Sequence, residues 1–354
     1  MSKKIANKKS YKLTIILAVL LVLCSIGSML VGAMNLSVSE LLKGNTQQLQ
    51  ILILSRFPRL MAILCTGAGM SIAGLIMQQL CMNKFVAPST GATISSAQLG
   101  ILISMIFFRQ ATLMQRTAFA FVAALIGTCI FVFFMQKVRY KDIIMVPLVG
   151  IMFGNVISGI TGYLSYKHDL SQSLSAWLQG DFSLVIQGRY EIVYLVLPLI
   201  VIAFIFANYF NIVGMGEEFS KNLGVPYTVV LFSGLAIATM ISASVVVVVG
   251  SISYIGLIVP NMVSMFKGDR IRGNIIDTAL TGCLFVLVCD VIGRVIIYPY
   301  ELPINLIAGI IGSVLFIAML IKKLDGDKAK GKTGRLQMIF QKLGKKKQVK
   351  GELS

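Results

Sequence analysis

The stretch YTVVLFSGLAIATMISASVVVVV, residues 227–249, contains no charged side chain. An α-helix rises about 1.5 Å per residue, so a run of this length crosses a hydrocarbon layer of about 30 Å. Within lipid, only helices and closed barrels satisfy every backbone amide and carbonyl internally. The stretch therefore predicts a transmembrane helix.

The rest of the chain repeats this pattern. Of its 354 residues, 56% are hydrophobic and 13% are charged, whereas soluble domains carry about 25% charged residues. We predict an all-α, polytopic membrane protein with about ten spans. The seventh and eighth runs are nearly continuous, but counting them as one gives nine spans and puts the basic start and the basic tail on opposite sides, so ten spans are preferred. The predicted spans are 13–34, 58–79, 90–108, 117–136, 143–165, 190–209, 227–249, 252–266, 275–297 and 303–321.

The distribution of basic residues predicts the orientation. Lys and Arg number 32 against 14 Asp and Glu, and 24 of the 32 fall on one face of a ten-span topology. Because cytoplasmic segments retain the excess of Lys and Arg, both termini are expected in the cytoplasm. This gives a basic amino-terminal segment (1–12), a transmembrane domain (13–321) and a Lys-rich tail (322–354). The tail is expected to be disordered and to contact anionic lipid rather than nucleic acid.

The tail also contains GDKAKGKT (326–333), which has the spacing of a phosphate-binding loop. That loop works only between a buried strand and a packed helix, which hold its backbone amides around the phosphates. Here an apolar span precedes it and a short basic segment follows. We do not predict nucleotide binding by this chain.

Charged residues in the spans are few, so each suggests a role. Asp290 and Arg294 are four residues apart and should pair on one helix face. Arg56 and Arg59 lie at the outer mouth of the second span, and Arg294 approaches the same side. The three arginines either extend toward the interface or form a docking surface for an acidic partner. We find no pattern of paired carboxylates, activated nucleophile or metal ligands, so we predict neither an enzyme nor a metal site.

A polar segment between two spans, NIVGMGEEFSKNLGV (211–225), predicts a short amphipathic helix. Glu217, Glu218 and Lys221 lie between glycines at 214, 216 and 224. On the predicted topology this helix faces the cytoplasm. It is a candidate socket for a partner protein.

Seven segments resemble, in order, the motifs of the FecCD-type permeases of ABC importers for iron-siderophores, haem and cobalamin. They span residues from about 50 to 321. The segments are SRFPR (55–59), GAGMSIAGLIMQQL (67–80), WLQGDF (177–182), GMGEEFSKNLGV (214–225), GSISYIGLIVPN (250–261), DVIGR (290–294) and ELPINLIAGIIGSVLF (301–316).

This resemblance implies the BtuC-like fold of a type II importer in a bacterial cell (inner) membrane. It implies a second permease, identical or different, two ATPase subunits inside, and a siderophore-binding lipoprotein or periplasmic protein outside. The chain itself would bind no cofactor, and the partner subunit would use ATP. Docking of the binding protein would fall to Arg56, Arg59 and Arg294. Coupling to the ATPase would fall to Gly216, Glu217, Glu218, Lys221, Leu223 and Gly224. Residues matching structural positions of the motifs are Pro58, Gly67, Gln78, Asn83, Pro88, Gly256, Pro260, Asn261, Asp290, Glu301 and Pro303.

Two departures from the family pattern suggest the cargo. The usual N-P-L-A-x-P reads NKFVAP (83–88), and the usual P-H-x-x-R reads PNMVS (260–264), where Asn261 keeps hydrogen-bonding ability without charge. Both resemble the branch that imports ferric catecholate-type siderophores, such as petrobactin or anguibactin. The alternatives are a haem or cobalamin importer and an ion-coupled secondary transporter that acts without an ATPase.

Overall fold

The structure is a computed structural model that describes residues 2–32, 46–88, 92–137, 145–183, 185–188, 190–268 and 271–322. The side chains of residues 2–11, 113, 132, 135–136 and 145–147 lie outside the description as well. So does the predicted tail from residue 323 onward, including the phosphate-loop-like sequence at 326–333.

The described residues are almost entirely helical. Eight helices are long and apolar enough to cross a membrane, and two shorter apolar helices accompany them. In chain order the helices are α1 (Ser2–Leu30), α2 (Thr46–Leu80), α3 (Thr93–Phe107), α4 (Leu113–Lys137), α5 (Met145–Lys167), α6 (Ser171–Leu178), α7 (Val196–Val213), α8 (Glu217–Asn222), α9 (Tyr227–Val249), α10 (Ile255–Lys267), α11 (Ile271–Val295) and α12 (Ile304–Lys322). Each of the ten predicted spans corresponds to one of these helices, with α6 and α8 as short additional helices.

Helix α2 is the centre of the packing. It contacts α7, α9, α10 and α11, and most of its side chains from Pro58 onward are buried. Two of its glycines allow backbones to approach closely. A Cβ on Gly67 would lie 2.6 Å from the Gly282 carbonyl oxygen of α11, and one on Gly74 would lie 1.9 Å from the Gly256 carbonyl oxygen of α10. Small residues at such crossings are typical of membrane helix packing.

The second span is longer than the sequence predicted. The prediction began at residue 58, but the helix begins at Thr46. Pro58 has no backbone N–H and ordinarily interrupts a helix. Here the turn before it, Leu52–Arg56, is π-helical, and the Phe57 amide bonds to the Leu52 carbonyl. The wider turn lets the helix continue through the SRFPR motif.

The seventh and eighth runs form two separate helices. Gly250 ends α9 with a φ of +89°, and α10 begins at Ile255. Residues 178–181 and 249–251 pair through their backbones here: the Ser251 amide donates to the Leu178 carbonyl (3.1 Å), and the Asp181 amide donates to the Val249 carbonyl (3.0 Å). The seventh and eighth runs are therefore two separate helices rather than one continuous span.

The chain divides into two compact units, residues 1–311 and 312–354. The first contains α1 through α11 and the start of α12. Of the second, only the remainder of α12 is described. At the other terminus α1 already begins at Ser2, so most of the basic segment 1–12 continues the first helix.

Candidate functional site

Three arginines and two carboxylates meet where α11 ends and α12 begins. Arg59 donates to Asp290 Oδ1 (2.8 Å) and to Glu301 Oε2 (2.7 Å). Arg294 pairs with the other oxygen of Asp290 at 2.6 Å, which confirms the pairing predicted from their spacing. Arg56 lies beside this network. Asp290 therefore balances two guanidinium groups at once.

The carboxyl end of α1 completes the cluster. Arg294 Nη1 donates to the carbonyls of Ser28 (2.9 Å) and Val31 (2.6 Å), and Arg56 Nη1 donates to the Val31 carbonyl (2.9 Å). The Ser28 hydroxyl accepts a further bond from Arg294. Carbonyls at the end of a helix have no partner within it and carry the negative end of its dipole. The carbonyl oxygens at the end of α1 therefore stabilise the arginine charge that the two carboxylates do not balance.

The arginines were predicted to face the exterior, and the structure turns them inward. The side chains of Arg59 and Arg294 are 11% and 2% exposed, and Arg56 is buried. The physical reason is that Asp290, Glu301 and the carbonyls at the end of α1 accept bonds from the guanidinium groups within the bundle. Their assignment to docking of a binding protein stays a prediction.

Helix α8 is the short helix expected in segment 211–225. Glu217, Glu218, Lys221 and Leu223 are exposed, as is the ring of Phe219 at 47%. Lys221 and Glu217 pair at 2.9 Å, and this bond raises the pKa of the Lys221 ammonium above its usual value. Because the pair is solvated, its contribution to stability is small. The outer surface of α8 is therefore exposed.

The inner side of α8 is fixed to the bundle. Ser220 is buried, and its hydroxyl donates to the Gly216 carbonyl (2.8 Å) and the Ile212 carbonyl (3.2 Å). Gly216 and Gly224 bracket the helix with φ values of +109° and +70°, which glycine adopts at little cost. A push on α8 would pass directly to the end of α7.

Several motif residues join α2 to α10. The Gln78 amide donates to the Gly256 and Leu257 carbonyls, each at 3.2 Å. The Asn261 amide donates to the Lys84 carbonyl (2.8 Å). The Asn83 carboxamide accepts from the Phe85 amide (2.8 Å). These bonds fix the NKFVAP turn against α10.

The remaining motif residues support this packing. Pro88 Cδ would lie 3.0 Å from a Cβ on Gly256, so the turn closes tightly over the start of α10. Pro260 lies inside α10, and Pro303 directly precedes α12. A cavity of about 210 Å³ beside this turn is lined by Gln78, Asn83 and Gly214, among others. It connects the α2–α10 contact to the segment that holds α8.

Sequence reasoning missed a second buried ion pair. Lys267 pairs with Asp277, and the Thr14 hydroxyl donates to the same carboxylate at 2.6 Å. Asp277 is 1% exposed. The sequence did contain one signal for this pair, because Asp277 is a carboxylate inside the predicted span 275–297. The pair joins α1 to the turn between α10 and α11, at the opposite end of α11 from the arginine cluster.

Comparison with known proteins agrees with the packing and the motifs. Residues 19–322 match the FecCD transport family. The chain is 45% identical over 307 residues to the petrobactin import system permease protein YclN of Bacillus subtilis, covering 87% of this chain and 97% of the relative. It is 36% identical over 295 residues to the ferric-anguibactin transport system permease protein FatD of Vibrio anguillarum, covering 83% and 94%.

A solved structure shares the fold. An inward-facing conformation of a transporter assigned to the metal-chelate type of ABC transporter matches with a TM-score of 0.77, covering 88% of this chain and 99% of that one at 24% identity. The helices, the order of the motifs and the family match agree. The chain belongs to the FecCD transport family.

Proposed function

We propose that this chain is the membrane-spanning permease of an ABC importer that carries ferric siderophores into the cell. ATP hydrolysis would take place in separate subunits. The observation that carries the proposal is helix α8, which is exposed on one side and fixed through Ser220 to α7 on the other. Such an element can receive force from a partner and deliver it to the bundle.

Movement would begin at α8 on the cytoplasmic side. Closure of two ATPase subunits around ATP would displace α8, with Gly216 and Gly224 providing the backbone freedom at its ends. The end of α7 contacts α2 through Gly214, where an added Cβ would lie 2.3 Å from Gln79 Nε2. The displacement would then tilt the packed helices and alternate access between the two sides.

We place docking of a solute-binding protein at the opposite end, near the arginine cluster. Arg59 and Glu301 retain some exposure there, at 11% and 22%. Acidic groups on the binding protein would compete with Asp290 and Glu301 for Arg56, Arg59 and Arg294. Docking would therefore weaken internal ion pairs at the outer end of α11 and loosen the outer side of the pathway.

The cargo is proposed as a ferric catecholate-type siderophore, because the two relatives named above carry petrobactin and ferric-anguibactin in their names. The second permease would be identical or different. An importer of haem or cobalamin is the alternative within the same family. Competition of each unlabelled chelate against uptake of a radioactive ferric siderophore separates these cargoes.

The decisive experiment reconstitutes the full-length chain in liposomes with its second permease, the ATPase subunits and the binding protein. We expect uptake of ⁵⁵Fe-petrobactin that requires ATP on the ATPase side and is abolished by removing the ATPase. Uptake by the permease alone that collapses with an uncoupler would instead identify an ion-coupled secondary transporter. Flux that only equilibrates the chelate would identify a passive channel.

Phe219 is the large apolar side chain that α8 exposes for contact with an ATPase subunit. Exchanging Phe219 for alanine removes an exposed ring and leaves the buried Ser220 anchor intact. We expect uptake to fall about tenfold, equivalent to ~1.4 kcal/mol of lost contact energy. Association measured by co-purification of the ATPase should weaken in parallel.

Tyr166→Ala is the matched control, because this side chain is 80% exposed at the far end of α5. It should leave uptake and co-purification unchanged. Normal uptake by the Phe219→Ala variant would contradict the assignment of α8 to coupling.

A further inference from the structure

A cavity of about 360 Å³ lies at the end of the bundle opposite α8. It is bounded by the start of α4, the end of α6 and the end of α9. Arg116, Trp177, Gln179 and Asp181 contribute its polar lining, and valines 247–249 form an apolar wall. This volume falls in the range of small-molecule sites, about 300–1,000 Å³. We call it the Trp177 cavity.

The backbone around this cavity is well fixed. Gln179 forms an isolated parallel bridge with Ser251, and a Cβ on Gly180 would lie 2.5 Å from the Ser251 carbonyl oxygen. The start of α4 is closed by a reciprocal cap, in which Thr112 and Gln115 each bond the other's backbone amide (3.3 and 2.9 Å). The cavity is therefore preformed.

The guanidinium of Arg116 has an unusual environment for a half-buried cation. It lies 5.6 Å from the centre of the Trp177 ring, as a cation–π pair. Its Nε is buried without a hydrogen-bond partner, and no carboxylate among the described residues lies within ion-pair distance of it. Asp181 lines the same cavity, but its two oxygens accept bonds from the Ser183 amide (2.8 Å) and hydroxyl (2.6 Å).

Helix stability does not account for this arginine. It occupies the first turn of α4, where the helix dipole disfavours a cation. The positive end of the dipole and the guanidinium both lie beside an aromatic face, while the Asp181 carboxylate on the same lining is bonded to Ser183. Such a site suits a ligand that is both anionic and aromatic.

We propose that the Trp177 cavity binds a catecholate ring of the incoming ferric chelate. Arg116 would neutralise the catecholate oxygens, the Trp177 indole would stack on the ring, and the valine wall would exclude water from its edge. The cavity has room for one catecholate ring but not for the whole chelate. Because only part of the chelate is bound, the contact stays weak enough to release the cargo. This proposal rests on the proposed function, because it assumes that a ferric catecholate passes this end of the bundle.

The test uses Trp177 as the reporter, since it is the only tryptophan in the chain. The full-length permease in lipid nanodiscs is titrated with the ferric complex of 3,4-dihydroxybenzoate, and tryptophan emission is followed. We expect saturable quenching. Free N-acetyltryptophanamide, titrated in parallel, corrects for absorption and collisional quenching by the complex.

Arg116→Gln should raise the half-saturating concentration about tenfold or more, because it removes the cation placed against the ring. Arg116→Lys keeps the charge but loses the planar, multiple-donor guanidinium, and it should give an intermediate half-saturating concentration. The matched control is Arg109→Gln, an exposed arginine near the same loop. The Arg109→Gln variant should have the same half-saturating concentration as the parent. Gel filtration establishes that each variant remains monodisperse.

Linear, unsaturable quenching would overturn the proposal, as would equal titration of the parent and Arg116→Gln. Either result would assign the Arg116–Trp177 pair to packing of α6 against α4. The reconstituted importer separates this failure from failure of the proposed function. If the parent importer takes up ferric catecholate and Arg116→Gln does so with unchanged KM, only the cavity assignment is lost. If the parent shows no ATP-dependent uptake, the proposed function is lost.

Discussion

Replacing Asp290 with asparagine is expected to lower the free energy of unfolding by about 3–5 kcal/mol. The carboxylate pairs with Arg59 at 2.8 Å and with Arg294 at 2.6 Å, and its own side chain is 2% exposed. Asparagine has nearly the same shape but cannot balance either guanidinium. Arg294 would be left with neutral acceptors. The measurement is the midpoint of thermal unfolding of the purified chain in detergent.

Two further variants separate the ion pairs. Glu301→Gln removes the more exposed partner of Arg59 and should cost less than half as much, because water replaces part of the lost interaction. The double variant Asp290→Asn/Arg294→Gln removes one cation together with the carboxylate and leaves the Arg59–Glu301 pair. It should be more stable than Asp290→Asn alone.

This experiment also separates the two roles considered for the arginines. If the cluster serves mainly to hold α1, α2 and α11 together, Asp290→Asn loses stability and uptake in parallel. If Asp290→Asn is as stable as the parent, the ion pairs are not structural. Lost uptake with intact stability would then favour docking through Arg56, Arg59 and Arg294.

Gly74→Ala is expected to have the second large effect. The new methyl group would lie 1.9 Å from the Gly256 carbonyl oxygen and 2.5 Å from the Gly256 Cα. Both are backbone atoms, so no side chain can rotate to make room. Helix α10 must move away from α2, which stretches the Gln78 hydrogen bonds to Gly256 and Leu257. We expect a loss of about 3 kcal/mol, at the upper end for overpacking, and a lower thermal midpoint.

Gly159→Ala is the matched control. This glycine also lies within a long helix, α5, but a Cβ there would have no neighbour within 4 Å. Alanine favours the helix by up to about 1 kcal/mol relative to glycine, so the variant should be unchanged or slightly more stable. Equal midpoints for Gly74→Ala and Gly159→Ala would show that the α2–α10 contact is not as close as the structure indicates.

Local patterns predicted the features that depend on neighbouring residues. Run length and hydropathy identified the spans, because crossing lipid requires only a continuous apolar stretch. The four-residue spacing identified the Asp290–Arg294 pair, and the glycines of segment 211–225 identified the ends of α8. The early start of α2 was missed, because Pro58 reads as a helix boundary unless the preceding turn is π-helical.

Partners distant in sequence could not be predicted in this way. Thr14 bonds to Asp277 across 263 positions, and Arg59 bonds to Glu301 across 242. Nothing in the sequence around Arg116 indicates that Trp177 lies beneath it. These pairings depend on which helices touch, and that follows from side-chain packing over the whole bundle.

The sequence by itself determined that this chain crosses a membrane as a helical bundle with a short polar helix between two spans, because hydropathy and glycine placement act locally. Only the tertiary structure decided that the arginines turn inward and that the Arg116 guanidinium lies over the ring of the one tryptophan. Burial and charge balance are properties of surroundings assembled from distant segments, so they exist only once the helices have packed.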